Sequence, residues 1–150
     1  SGSFIGLGLH HGRAHLYRAV LEGVTFALRH NIETGARGAG RLDHRLVVVG
    51  GASHSDLWMQ LIADVTGLPV FTIAEDVEAS LGAALLAAYG VGLIDAEQVR
   101  RGWVTPVQRA LPDPAAGALY TRLFEQFVAS YLAARPVMHA LRAIAADASP

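Results

Sequence analysis

A chain of 150 residues, 52% apolar and 17% charged, has the make-up of one folded domain with a real core, which excludes a disordered protein. A net charge of -1 argues against electrostatic recognition of nucleic acid. There is no cysteine and no lysine, all 12 basic residues being arginine, so disulfides, thiolate metal sites, cysteine nucleophiles, a P-loop lysine and Schiff-base chemistry are all excluded.

Residues 1–9 are apolar but have neither a basic n-region nor a cleavage site, so no signal peptide is expected. The first residue is Ser rather than Met, and the chain reads as a piece of a longer protein. From Gly12 to Glu33, the apolar Leu16, Val20, Val24, Ala27 and Leu28 recur at helical spacing, which predicts an amphipathic helix followed by a loop over 35–40. Gly23 inside that helix costs about 1 kcal/mol relative to Ala and points to a tight packing contact. Arg45 to Val49 predicts a short strand. Val47, Val48 and Val49 are apolar on both of its faces and suit a sheet covered by helices.

The strand runs into Gly50-Gly51-Ala52-Ser53-His54-Ser55. Two glycines let the backbone take positive φ and let a ligand come close. The first N–H groups of the following helix lack intrahelical partners and attract an anion. The segment reads equally as half of a nucleotide site and as an ordinary strand-to-helix turn. It lacks the G-x-G-x-x-G dinucleotide pattern. The helix is predicted over Ser55 to Thr66, with Ser53, Ser55 and Asp56 as N-cap candidates, Gly67 as its C′ residue and Leu57, Leu61 and Val65 as its inner stripe.

Pro69 to Ile73 predicts a second strand, with Pro at its first position. The apolar run from Ala79 to Ile94 falls short of the ~20 residues needed to cross a bilayer. It predicts a buried helix over Ala79 to Tyr89, stopped by Gly90, and no membrane partner. Helix, strand, helix, strand, helix suggests a parallel α/β layer over 1–92. Residues 93–150 predict a mostly helical tail of the same domain. It holds a short helix near Asp95 to Arg101, turns around Pro106, Pro112 and Pro114, and a long helix from about Ala115 to Ile144 that Pro136 kinks or restarts. Tyr120, Leu123, Phe124, Phe127 and Tyr131 form its core face.

Among chemistry-bearing residues, His11 and His15 are four apart, which places two imidazoles on one helix face. They lack an H-E-x-x-H pattern, so capping or domain contact is the preferred role and no metal site is expected. Glu22 is four residues beyond Arg18 and predicts an ion pair. Asp43, Asp56, Asp64, Asp76 and Glu78 lie near the turns, but none has the setting of a catalytic base. Asp56 and Asp64 read as helix-start and surface-face residues, and Glu78 as an acidic residue favoured at a helix start.

Gly2-Ser3-Phe4-Ile5-Gly6-Leu7, a seven-residue gap and His15-Leu16-Tyr17-Arg18-Ala19-Val20-Leu21-Glu22 together resemble the C-terminal signature of the FGGY carbohydrate kinases. Gly50 to Trp58 is similar to that family's adenosine motif, and Glu78-Ala79-Ser80-Leu81-Gly82-Ala83-Ala84 to its following helix. The resemblance implies part of an actin-like, ribonuclease-H-like ATPase domain, in which ATP, accompanied by magnesium, gives its γ-phosphoryl to a sugar hydroxyl. By the family pattern, Gly50 and Gly51 approach the α-phosphate, Ala52 borders the adenine and Ser55 hydrogen-bonds the nucleotide. Ser53 and His54 are further nucleotide-site candidates. His54 stands where many xylulose-kinase-like members carry Lys.

The expected partners are ATP or ADP and a ketopentose such as xylulose or ribulose, with gluconate, glycerol and polyols as alternatives. A cytoplasmic home, which the lack of cysteine allows, is expected, and a homodimer is compatible with the sequence. It places the phosphate loops, catalytic aspartate and sugar contacts upstream of residue 1, so no catalytic residue is expected here and this chain alone is expected to be inactive. A non-catalytic, sugar-responsive actin-like regulator and a helical interaction module are the rival readings.

Overall fold

The computed structural model describes residues 2–39, 43–74 and 78–147. Helix α1 (Arg13–Ala39) starts after an imidazole-capped turn, in which the Gly12 N–H donates to His15 Nδ1 over 3.1 Å. This is the half of a capping box that Glu or Gln usually supplies. The helix runs through Gly35 and Gly38 to Ala39, where a loop over 35–40 was expected. Good helix formers such as Ala36 and Arg37 alternate with those glycines and carry it on.

The buried face of α1 is Leu21, Thr25 and Phe26, whereas the expected Val20 and Val24 are about half exposed. Apolar residues lie on two sides of this helix, and the other helices cover only one of them. Gly23 has open space where a Cβ would stand, so the tight contact expected there is not present among the described residues.

Strand β1 (Leu46–Val47) pairs in parallel with β2 (Val70–Ile73), and the Val48 N–H extends the ladder to the Phe71 carbonyl at 2.8 Å. Leu46 and Val48 face the core, while Val47 and Val49 stay half exposed. One face of the strand is covered by the described residues, not both as expected. The sheet order is β1-β2-β3, with β3 (Pro106–Ala110) antiparallel to β2. The parallel pair expected over 1–92 is present, and the sheet as a whole is mixed because the proline-flanked stretch around Pro106, expected to form turns alone, supplies an antiparallel edge strand.

Helix α2 (Asp56–Thr66) is the keystone, wedged between the sheet and the other helices. Leu61 and Val65 pack with Leu21, Phe26, Tyr120 and Phe124. Met59, Ile62 and Ala63 pack with Val70 and Ala110 on the sheet side. A helix covered on two sides needs a wider apolar face than the predicted stripe, and Leu57 of that stripe points outward. Gly67 closes the helix in the left-handed conformation at φ 71°.

Helix α3 (Glu78–Gly90) was expected to be buried, yet Leu86 is 71% exposed and the helix packs mainly on α4 (Ala96–Arg100). Its apolar character is thus not matched by any covering layer among the described residues. Asp95 and Gln98 form a full capping box at the start of α4.

Helix α5 (Pro114–Asp147) has Pro at its first position, where the missing N–H is tolerated. It runs on across Pro136 without a break in the helix. It packs close to α2 at Gly117, where a Cβ would lie 3.4 Å from the Asp64 carbonyl oxygen. Of the predicted core face, Tyr120 and Phe124 are buried and Phe127 is partly buried, their rings gathered about Phe26. Leu123 and Tyr131 are exposed.

Candidate functional site

The turn between β1 and α2 begins at Gly50, whose φ of 80° and ψ of -170° lie in a region open essentially to glycine alone. A 3-10 turn over Gly51–His54 follows. Both the Ser53 N–H (2.9 Å) and the Ser53 hydroxyl (2.8 Å) donate to the Gly50 carbonyl, and Ser53 is buried. Its side chain therefore shapes the turn rather than facing solvent. The Ser55 N–H donates to the Ala52 carbonyl at 3.2 Å.

Ser55 is the N-cap of α2, its Oγ accepting from the Trp58 N–H at 3.3 Å. Acting as acceptor there leaves the hydroxyl proton free to be donated. As the first residues of the 3-10 turn, Gly51 and Ala52 have no carbonyl within it to receive their N–H groups. Gly51 is exposed, with nothing within 4 Å of the place a Cβ would take. The Ala52 methyl packs against the cluster around Met59 and Val70, so that residue can offer a ligand its backbone. His54 is exposed.

Arg109, on β3, was not singled out by the sequence. Its Nη1 donates to the Ser53 carbonyl at 3.0 Å and its Nη2 to the Asp56 carboxylate, tying the far strand to both halves of the turn. The only available signal was a lone Arg among turn residues, with no periodicity to mark it.

The other carboxylates are dispersed. Asp43 is an exposed surface group paired with Arg45 at 3.3 Å. Asp64, read as a surface residue, is buried; its Oδ1 accepts from Gln60 Nε2 (2.8 Å) and the Asp113 N–H (2.9 Å) and so joins α2 to the start of α5. Asp76 and the Glu78 side chain lie outside the described residues. Among the described residues, no group of three or more His, Asp or Glu is placed to hold a metal ion. His11 Nδ1, like His15 Nδ1, is engaged as a backbone acceptor, from the Gly8 N–H at 2.7 Å.

A second feature lies on α1. The predicted Arg18–Glu22 pair forms at 2.9 Å, and the Tyr120 hydroxyl joins it, accepting from Arg18 Nη2 and donating to Glu22 Oε1, each at 2.9 Å. Burial raises the Tyr120 phenol above its usual range, against the opposing pull of the Arg18 hydrogen bond. Arg18 is itself held more firmly protonated, first by Tyr120 and then by Glu22. The triad fixes α1 to α5. Beside it, the segment Gly2 to Leu7 and the open flank of α1 at Val20, Gly23 and Val24 border a groove of about 900 Å³.

The fold is thus a mixed α/β layer with a Gly-bearing turn leading from a strand into a helix. The chain belongs to the FGGY family of carbohydrate kinases, residues 1–91 matching the C-terminal domain of that family. It is 32% identical over 142 residues to the xylulose kinase of Bacillus subtilis (strain 168), covering 94% of this chain and 28% of that protein. Among solved structures, it is similar to the xylulose kinase from Rhodospirillum rubrum at 36% identity and a TM-score of 0.77, over 93% of this chain and 28% of the other. It is also similar to the gluconate kinase from Lactobacillus acidophilus at 27% identity and a TM-score of 0.74, over 88% of this chain and 27% of the other. The chain thus spans little more than a quarter of the length of these relatives, whose fold is the actin-like, ribonuclease-H-like one. No helix among the described residues is long and apolar enough to cross a membrane.

Proposed function

We propose that this chain is the nucleotide-binding part of a sugar kinase, with the turn Gly50 to Ser55 receiving ATP. The observation that carries the reading is the open backbone of Gly51 at the head of a helix capped by Ser55, within a stretch that matches the kinase family. The N–H groups of Gly51 and Ala52 donate to phosphate oxygens, the N-terminal end of α2 favours their charge, and the Ser55 hydroxyl donates its free proton to the nucleotide. Ala52 borders the base through its backbone, while Ser53 holds the turn and exposed His54 flanks it. Magnesium is expected to accompany the nucleotide, as the family resemblance implies.

Phosphoryl transfer depends on an in-line hydroxyl, a base and charge stabilisation held together by a closed cleft. No described carboxylate of this chain stands beside the turn as a free base, Asp56 being paired with Arg109. The family resemblance, with a chain that spans little more than a quarter of its relatives' length, supports placing the base and sugar pocket outside residues 1–150, and the chain by itself is expected to transfer no phosphoryl group. A ketopentose is the favoured acceptor, since the relatives named xylulose kinase cover nearly all of this chain; the gluconate kinase likeness makes gluconate the competing acceptor. The test is a coupled ADP-release assay on the full-length protein and on the 150-residue chain, with xylulose, ribulose, gluconate and glycerol. Turnover confined to the full-length protein and greatest with a ketopentose is expected. Sugar-dependent turnover by the chain alone, or none by either protein, would overturn the proposal.

A further inference from the structure

We infer that Arg109 is a positioning residue for the nucleotide, holding the turn so that it presents donors, and not acceptors, to a phosphate. The inference rests on the nucleotide reading of Gly50 to Ser55. An anion site built from backbone needs its N–H groups, and not its carbonyl oxygens, directed at the ligand, since a carbonyl oxygen carries partial negative charge and repels phosphate. Here the carbonyls of Gly50, Ala52 and Ser55 are each engaged by a backbone N–H, from Ser53, Ser55 and Met59. Ser53 differs, because its carbonyl is held by a side chain from another element, Arg109 Nη1 at 3.0 Å.

The second arm of the guanidinium acts on charge. Asp56 is the first residue of α2 and is exposed. Left alone, its carboxylate stands at the helix end that is to attract a phosphate and opposes that attraction. Arg109 Nη2 neutralises it. The planar fork reaches both acceptors at once, which a Lys ammonium does less well. Removing Arg109 therefore frees one carbonyl to turn outward and uncovers one negative charge, both at the nucleotide and neither at the sugar.

The experiment is steady-state kinetics on the full-length enzyme, measuring KM for ATP and for the sugar in Arg109→Met, Arg109→Lys and Gly51→Val. Arg29→Met is a structural control, since Arg29 joins α1, α2 and α5 away from the turn through the Val65 carbonyl and Thr121. Losing a charge-assisted clamp is expected to raise the ATP KM about tenfold in Arg109→Met. The sugar KM should stay within about twofold. Arg109→Lys, which keeps the charge, should fall between Met and wild type. Arg29→Met should lower the melting temperature without separating the two constants.

An unchanged ATP KM in Arg109→Met, with a raised one in Gly51→Val, would overturn the role of Arg109 and leave the nucleotide reading standing. If neither variant moves the ATP KM, the nucleotide reading falls and the inference with it. An equal rise in both constants in Arg109→Met would make Arg109 a stabilising residue only and overturn the inference. Should Arg109→Met fail to fold, Arg109→Lys decides: a raised ATP KM with an unchanged sugar KM supports the inference, and an unchanged ATP KM overturns it.

Discussion

The Trp58 indole Nε1 donates a 3.1 Å hydrogen bond to Thr25 Oγ1, and that buried hydroxyl donates in turn to the Leu21 carbonyl over 2.7 Å. Trp58 is the residue whose N–H is capped by Ser55, so this chain of bonds connects the candidate nucleotide turn to α1. Replacing Trp58 with Phe keeps much of the apolar contact and removes the donor. The expected cost is about 1–2 kcal/mol, read as a lower denaturation midpoint. An unchanged midpoint would show that the bond contributes nothing in solution.

The two glycines of the turn should respond differently. Gly50 sits at φ 80°, so Gly50→Ala strains the backbone and is expected to cost about 1–3 kcal/mol. Gly51 has no positive φ and open space beside it, so Gly51→Ala should change stability by less than about 0.5 kcal/mol. Gly51→Val should raise the KM for ATP far more than that for the sugar, because the added branch meets the ligand and not the protein. Unfolding curves and paired KM measurements on the full-length protein check both statements; a destabilising Gly51→Ala would contradict the geometry.

Tyr120 gives a pH prediction. Its phenol is held above its ordinary value of 10.0 in the folded chain, chiefly by burial. The unfolded chain therefore releases that proton first. The stability it contributes is complete below about pH 10 and is lost as pH rises from the unfolded value through the raised folded one. Tyr120→Phe removes the bonds to Arg18 and Glu22 and is expected to cost about 1–2 kcal/mol at pH 8. The gap between wild type and variant should narrow above pH 10. Melting temperatures of both proteins from pH 8 to 11 test this, and a gap that widens with pH would show the phenol to be more acidic in the fold.

How far the sequence could be read depended on whether a residue's role was local. The Gly67 stop, the Arg18–Glu22 pair and the strand before Gly50 are settled within a few residues and each is present in the structure, while of the three N-cap candidates Ser55 takes the role, Asp56 being the first helical residue and Ser53 bonded within the turn. Strand β3 was not legible. Of its five residues only Ala110 is buried, so Pro106 to Arg109 show no alternation and look like turn. With β3 unread, Arg109 could not be placed beside Asp56. The faces of α1 and α3 failed for a different reason: their apolar residues lie on more than one side, and which side is covered depends on elements distant in sequence. Asp64 shows the same limit, since only the approach of Asp113 makes a buried carboxylate useful there.

The most direct test of the nucleotide assignment is the structure of the full-length protein with ADP bound. The diphosphate is expected within hydrogen-bonding distance of the Gly51 and Ala52 N–H groups, with the Ser55 hydroxyl donating to the nucleotide and Arg109 still joined to Ser53 and Asp56. ADP bound elsewhere, with the Gly50 to Ser55 turn untouched, would contradict the assignment.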